Sequence, residues 1–135
     1  MKKLISLLVM PLLAACAGER PANLGVQNNR LIPCPESPNC VSSYETDEQH
    51  GIAPLQASLA DIERVLLGLD EANIVSASDN YIYAEFTSRI MRYVDDVEFY
   101  FDAAAGVTQV RSASRLGHSD LGANRARIEA IRAAL

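Results

Sequence analysis

The sequence has no apolar run long enough to cross a bilayer as a helix. Its apolar stretch at residues 4–13 has about ten residues, whereas a spanning helix needs about 20. Lys2 and Lys3 stand directly before this stretch. A short apolar stretch behind a positive N-terminus is typical of a secretory signal and not of a membrane span. The pattern therefore predicts an exported protein whose signal peptide is residues 1–15.

Lysine is also nearly absent, because Lys2 and Lys3 are the only two in the chain. Without the signal, ten basic residues, all arginine, stand against 17 acidic ones, which leaves a formal charge of −7. Binding to nucleic acid, or to an anionic membrane surface from solution, draws on a positive field. This charge excludes nucleic acid as an expected partner and disfavours attachment to an anionic membrane through charge alone.

Histidine is scarce too, since His50 and His118 are the only two. Structural zinc sites need four ligands, and neither histidine stands at a usual ligand spacing. Asp96 and Glu98 share one face of a predicted strand and could hold a divalent cation together, but a cross-strand ion pair explains Glu98 better. We therefore expect neither a metal site nor a cofactor.

The end of the signal carries a more specific pattern. Residues 13–16, Leu-Ala-Ala-Cys, resemble the bacterial lipobox, in which small residues precede a cysteine that is acylated and becomes the mature N-terminus. The resemblance implies that Cys16 carries a firm lipid anchor, since each buried methylene contributes about 0.8 kcal/mol. Ala17 follows, and in Gram-negative lipoproteins a residue other than aspartate there is associated with the outer membrane. The alternative is an ordinary signal peptide with a chance cysteine.

Two further cysteines, Cys34 and Cys40, would face an oxidising compartment in an exported protein. A disulfide brings its Cα atoms to about 5.5 Å, and the turn-forming residues Pro35, Pro38 and Asn39 favour the necessary fold-back. A metal clip and a redox-active pair remain as alternatives, although a thioredoxin-like pair would be spaced C-x-x-C. The spacing predicts a structural disulfide.

The remaining chain divides into a short linker and one domain. Residues 16–33 are polar, with glycine, proline and asparagine, and predict a lipidated tether. Residues 34–135 have the length and composition of a single domain with a modest core. Residues 41–54 are rich in polar turn formers and predict a surface loop.

Periodicity predicts the elements of this domain. Apolar residues recur on one helical face behind Ser58, a predicted N-cap. Four alternating segments follow, and a last helix begins near Ser119 or Asp120 with Leu121 on its apolar face. The order α-β-β-β-β-α predicts an α+β fold, a four-stranded antiparallel sheet with two helices packed on one face.

The turn between the last two strands determines which residues face each other. If residues 103–106 form a four-residue loop, Glu98 lies opposite Arg111 and Phe99 opposite Val110. A five-residue loop would mix polar and apolar residues across each face, and a slip by one residue turns every side chain over. The four-residue loop is therefore favoured, and it predicts an ion pair between Glu98 and Arg111.

Three stretches together resemble a known family. They are CPESPNCVSS at residues 34–43, YVDDVEFYF at residues 93–101 and RSASRLGHSDLGANRARIEAIR at residues 111–132. In this order they are similar to the uncharacterised family catalogued as domain of unknown function 1499, over essentially the whole domain. The resemblance implies a small, mostly bacterial, often membrane-tethered domain, and it supplies no catalytic residue.

A polar cluster begins on the last strand and continues into the last helix. Arginines beside exposed N–H groups of a helix N-terminus can bind an anion. The alternative, which we favour, is that Arg111 and Arg115 neutralise Glu85, Asp96 and Glu98 across the sheet. The candidate anion-binding residues are Arg111, Ser112, Ser114, Arg115, Asp120 and Arg125.

The consecutive residues His118, Ser119 and Asp120 carry the side chains of a hydrolase triad. Neighbouring residues project in different directions, however, and triad partners normally come from separate segments. We therefore expect a non-enzymatic binding or accessory domain, held at the membrane by Cys16 and open to an envelope protein partner. An anion-binding module is the second hypothesis, and a hydrolase using Asp96, Glu98 or His118 is the third.

Overall fold

The computed structural model describes residues 17–135, so the predicted signal peptide and Cys16 lie outside the described residues. The elements are, in chain order, β1 (Cys40–Ser42), α1 (Leu59–Leu67), β2 (Ala72–Ala77), β3 (Tyr81–Thr87), β4 (Val94–Asp102), β5 (Val107–Ser114) and α2 (Ala123–Ala134). Among the described residues, no helix combines the length and the apolarity needed to cross a membrane.

The five strands form one antiparallel sheet in the order β1-β5-β4-β3-β2. β4 and β5 are joined by a four-residue turn at residues 103–106. In the resulting register Glu98 faces Arg111 and Phe99 faces Val110, as the alternation of polar and apolar residues predicts. The fold is therefore α+β, with two helices beside an antiparallel sheet.

The sheet has one strand more than the sequence indicates. β1 pairs with β5, so that Cys40 faces Ala113 and Ser42 faces Arg111. Its residues 41 and 42 belong to the segment expected to be a surface loop, and the prediction of four strands is wrong by this one. The physical reason is length, because three residues are too few to show the two-residue alternation by which strands are recognised.

The disulfide that leads into β1 is confirmed. Cys34 and Cys40 are bonded, with their Cα atoms 5.7 Å apart. Cys40 is fully buried, and Asn39 Nδ2 donates to the Gly117 carbonyl at 2.9 Å. The cross-link therefore closes a compact loop directly before an edge strand and holds that loop against the chain that leaves β5.

Both helices pack on the same face of the sheet. Ile62 and Leu66 of α1, with Ile128 of α2, join Val97 and Phe99 of β4 in a single buried cluster. α1 begins at Ser58, whose Oγ accepts a hydrogen bond from the Asp61 backbone N–H. Alternation on the strands thus directs the apolar side chains to the helices and leaves the opposite face of the sheet for polar ones.

The second helix begins later than expected. Leu121 is 96% exposed and does not belong to the apolar face of α2. It adopts a left-handed backbone conformation with φ of 53°, and Gly122 follows with φ of 81°. Two successive left-handed residues cannot continue a right-handed helix, so the first helical residue is Ala123.

Candidate functional site

The sheet face opposite the helices carries a cluster of charged and phenolic side chains, which we call the charged sheet face. Alternation along β3, β4 and β5 brings these side chains to one side, and most of them are buried despite their polarity. Its members are Tyr81, Tyr83, Glu85, Asp96, Glu98, Arg111 and Arg115.

Arg115 is held by two carboxylates. Its Nε donates to Asp96 Oδ2 at 2.9 Å and its Nη2 donates to Asp96 Oδ1 at 2.8 Å. The same Nη2 lies 3.0 Å from Glu85 Oε1, and the Tyr83 hydroxyl donates to Asp96 Oδ1 at 2.6 Å. The bonds to Asp96 raise the pKa of Arg115, against the effect of burial. Paired, bidentate geometry of this kind makes the ion pair strong and directional.

Glu98 and Arg111 are less well matched. Glu98 Oε1 accepts from the Tyr81 hydroxyl at 2.8 Å and from the Gly25 backbone N–H at 2.7 Å. Arg111 Nη1 lies 3.7 Å from Glu98 Oε2, and neither that oxygen nor Arg111 Nε has a hydrogen-bond partner in residues 17–135. Burial raises the pKa of Glu98. The two side chains therefore carry opposite charges, but each keeps a polar atom without a hydrogen-bond partner among the described residues.

The segment at residues 17–33, predicted as a tether, lies on this face. Arg20 pairs with Glu85 through Nε at 2.7 Å and also through its terminal nitrogen, and its guanidinium lies over the Tyr83 ring. Gly25 bonds to Glu98, and Leu31 is buried. Between this segment and the sheet remains a cavity of about 330 Å³. Its polar walls include Asp96, Arg111 and Arg115.

A second polar group lies between the sheet and α2, and we call it the helix–sheet cluster. Arg127 Nη2 lies 2.6 Å from Asp95 Oδ2, while its Nη1 donates to Asn124 Oδ1 at 2.8 Å. Ser112 Oγ donates to the same Asn124 oxygen at 2.7 Å. Asn124 Nδ2 in turn donates to Ser114 Oγ at 2.9 Å. Every one of these groups has its partner inside the protein.

Asp120 belongs to the start of α2. Its carboxylate accepts from the backbone N–H of Gly122 at 2.9 Å and of Asn124 at 3.0 Å. Burial works against ionisation, but the bonds from Asn124 and Gly122 outweigh it and lower the pKa of Asp120. The carboxylate therefore occupies the helix N-terminus at which the sequence suggested that an external anion could bind.

The six candidate anion-binding residues do not converge. Arg111 and Arg115 lie on the charged sheet face, whereas Ser112 and Ser114 contact Asn124 on the helix side. Arg125 lies elsewhere and donates to the backbone carbonyl of Gly51 at 2.8 Å. Strand alternation explains the division, because neighbouring residues of β5 point to opposite faces of the sheet.

The hydrolase residues do not form a triad either. His118 and Ser119 are exposed, and the described side-chain bonds of Asp120 go to Gly122 and Asn124. Residues 17–135 also contain no group of three or more histidine, cysteine, aspartate or glutamate side chains that could hold a metal ion.

Sequence reasoning missed Arg127, Arg20 and Gly25. Arg127 follows Asn124 by three residues on α2, a spacing that places both on one helix face and offered a usable signal. The sequence around Arg20 and Gly25 offered no such signal. A polar, glycine-containing segment has the same composition whether it is extended in solvent or packed on a sheet.

A large concave surface lies beside α2. A groove of about 600 Å³ runs between α1, α2 and the end of β3. Val65, Leu69, Phe86 and Ile131 make its walls largely apolar. A second groove, of about 450 Å³, continues from it past Arg127 toward the loops at residues 88–93 and 115–122.

Comparison with known proteins identifies a family and no relative of known activity. The sequence model described as "Protein of unknown function (DUF1499)" matches residues 30–135. No curated protein and no solved structure matches the chain.

Proposed function

Because the chain belongs to the DUF1499 family, which is described only as of unknown function, we propose a role from its own residues. The protein is a lipoprotein of the cell envelope, and its domain is a non-enzymatic binding or accessory module. Cys16 carries the lipid, and the domain faces the periplasm from the outer membrane. The signal and lipobox pattern of residues 1–16 supports this location, as does a disulfide, which persists in an oxidising compartment.

One observation carries the non-enzymatic part of the proposal. Most of the charged side chains buried in the domain are committed to bonds within the protein. Arg115 is held by Asp96 and Glu85, Arg127 by Asp95, and Asp120 by the start of α2. A catalytic acid, base or nucleophile needs access to a substrate, and these groups are turned inward.

The binding surface that fits this role is the groove between α1 and α2. A large, well-formed and mostly apolar groove is a natural candidate for a binding site, and this one has a volume of about 600 Å³. Val65, Leu69 and Phe86 in its walls suit apolar side chains of an envelope protein, and charged residues at its border, Glu71, Arg89 and Arg127, suit polar groups of the same partner. The proposal therefore places a protein partner in this groove.

The test is recovery of a partner from detergent-solubilised envelopes after mild cross-linking. Ala130 lines the groove, whereas Ala133, on the same helix, is exposed and does not. We expect a discrete protein to copurify with the wild type and with Ala133→Glu, and to be lost with Ala130→Glu. If nothing copurifies with the wild type, or if the two variants retain a partner equally, the proposed binding surface is rejected.

A second candidate is an anion beside Arg111. The observation that favours it is the unpartnered Arg111 Nε, in a residue that lines the cavity under the segment at residues 17–33. A small oxyanion would complete the bonding of this guanidinium. The nearby carboxylates of Glu98 and Asp96 oppose it, so this remains the alternative and not the main proposal.

A further inference from the structure

Exposed apolar side chains are concentrated at one end of the domain. Five of the seven large hydrophobic residues that are exposed within the described chain belong to two loops, β3–β4 and β5–α2. Ile90 is 89% and Leu121 is 96% exposed, which leaves almost the whole side chain in contact with solvent. We call these residues the apolar rim: Ile90, Met91, Tyr93, Leu116 and Leu121.

The two loops lie side by side. β3 ends, β4 begins and β5 ends at the same end of the antiparallel sheet. The Ser88 backbone N–H donates to the Tyr93 carbonyl at 2.9 Å and closes the β3–β4 loop, so that Ile90 and Met91 form its tip. Tyr93 and Leu116 line the same 450 Å³ groove. The groove therefore joins the two loops, and the five rim residues lie at one end of the sheet.

The chain leading from the predicted lipid reaches the domain at this rim. A Cβ atom placed on Gly18 would lie 3.1 Å from Leu116 Cδ2, so Gly18 packs directly on Leu116. Cys16 is two residues earlier, and two residues span at most about 7 Å. An acyl group on Cys16 must therefore enter the membrane close to the apolar rim.

The polar residues of the rim also suit a bilayer surface. Arg89 and Arg92 flank Ile90 and Met91, and neither forms an ion pair within residues 17–135, in contrast to the paired Arg20 and Arg115. Arginine extends its charged end to headgroup phosphates while its methylene stem stays in apolar surroundings. Tyrosine is likewise enriched at the level of the headgroups, which suits Tyr93.

We propose that the apolar rim is a second membrane contact, which seats the domain on the phospholipid surface beside the anchor. This inference rests on the proposed acylation of Cys16. The formal charge of −7 opposes docking from solution, but an anchor on the adjacent residues converts docking into an intramolecular step with a high effective concentration. A few side chains inserted into the bilayer are then sufficient for docking, because the strength of membrane binding increases with the apolar area that is buried.

The chain contains no tryptophan, so a single introduced tryptophan reports on one position. Met91→Trp and Leu121→Trp place it on the two loops of the rim. Ala104→Trp, in the exposed turn between β4 and β5, is the matched control at the opposite end of the sheet. Each full-length protein is acylated in cells, purified in detergent and reconstituted into phosphatidylethanolamine–phosphatidylglycerol vesicles with brominated acyl chains.

We expect the emission of Met91→Trp and Leu121→Trp to shift to shorter wavelength and to lose most of its intensity, while Ala104→Trp is unchanged. Flotation of the same vesicles tests the anchor separately. Protein that floats without quenching of either rim tryptophan overturns the rim proposal and leaves the anchor intact. If the rim tryptophans are shielded from solvent in native envelopes but not in floated lipid vesicles, the rim contacts a protein partner. That result also overturns the rim proposal. Protein that does not float overturns both proposals.

Discussion

At the scale of single residues, the most consequential contact is the incomplete pair of Glu98 and Arg111. Both side chains are buried, and each has one polar atom without a partner among the described residues. Burying two charges costs free energy that their attraction recovers only when the geometry is good. The bonds from Gly25 and Tyr81 stabilise one Glu98 oxygen, and Arg111 balances the charge of the other from 3.7 Å.

Removing one partner of this pair should cost more than removing both charges. Arg111→Met leaves a buried carboxylate unpaired, and breaking a buried pair typically costs 3–5 kcal/mol, so we expect about 3 kcal/mol in the free energy of unfolding. Adding Glu98→Gln keeps an acceptor for Gly25 and Tyr81 and should recover most of that loss. Urea denaturation of the wild type, single and double variants measures this. A double variant as unstable as Arg111→Met would contradict it.

The same variant should respond to pH in a definite direction. Burial raises the pKa of Glu98, so the folded state holds that proton more tightly than the unfolded state. The charge of Arg111 opposes this rise, so its removal raises the folded pKa further, and the loss in Arg111→Met is smallest at low pH and grows as the pH rises from the folded pKa of the wild type to the higher folded pKa of the variant. Unfolding curves from pH 4 to pH 8 test this, and a loss independent of pH would show that desolvation of Glu98 is not its cause.

The response to added phosphate distinguishes an ion pair between Glu98 and Arg111 from an anion bound by Arg111. An ion held by Arg111 would raise the melting temperature of the wild type in proportion to RT ln(1 + [L]/Kd), and would not raise that of Arg111→Met. We expect no such selective shift, because Asp96 and Glu98 already supply negative charge at this site. If phosphate raises the melting temperature of the wild type by several degrees and not that of Arg111→Met, anion binding becomes the favoured function.

At the scale of elements, the shortest member of the sheet is β1. It has three residues, pairs with β5 along one side and forms a single parallel bridge from Ser42 to Gly51 on the other, and so short a strand depends on its surroundings for stability. The disulfide between Cys34 and Cys40 limits the conformations of the chain directly before it. The cross-link and the edge strand therefore act as one unit.

Replacing both cysteines by alanine should lower the free energy of unfolding by about 2 kcal/mol in the chain-entropy description. The effect should also be local. Relative to the wild type, amide exchange should accelerate more in β1 and in residues 44–54 than in β3 and β4. Hydrogen exchange with mass spectrometry measures both quantities. Alkylation of the native wild type before and after reduction is the control, and free thiols before reduction would reject the structural disulfide.

Elements whose apolar residues recur at a regular spacing could be predicted from the sequence, whereas elements without such a repeat could not. Val97, Phe99 and the facing residues of β5 alternate clearly, so the central hairpin and its register could be predicted. β1 has no room for alternation. The start of α2 depends on the left-handed conformations of Leu121 and Gly122, which a helical apolar pattern does not encode.

The candidate site was predicted less well, for a geometrical reason. Reading along β5 groups Arg111 with Ser112, whereas the sheet separates them onto opposite faces. The partners that matter come from distant segments, such as Arg20 for Glu85 and Arg127 for Asp95. Pairings across 65 and 32 residues follow from the folded arrangement and leave no local trace in the sequence.

At the scale of the whole molecule, the two faces of the sheet have different roles. One face packs its apolar side chains under both helices. The other holds the charged sheet face beneath residues 17–33, which lead from the proposed anchor to the start of the disulfide loop. Because Arg20 and Gly25 bond to this face, the domain is not suspended on a loose linker. The fold instead holds Gly18 against Leu116, which is the condition that docking through the apolar rim requires.

The prediction on which the molecular picture depends is acylation of Cys16. Metabolic labelling with radioactive palmitate should label the wild type, and Cys16→Ser should remain an unlabelled, unprocessed precursor, because the thiol of this residue accepts the lipid. The matched control is the variant with Cys34→Ser and Cys40→Ser, which removes the other two cysteines and should keep the label. Each buried methylene of the lipid contributes about 0.8 kcal/mol, so the labelled wild type should fractionate with membranes even at high salt. A wild-type protein without fatty acid would remove the anchor, and with it the reason for the domain to turn its apolar rim toward a bilayer.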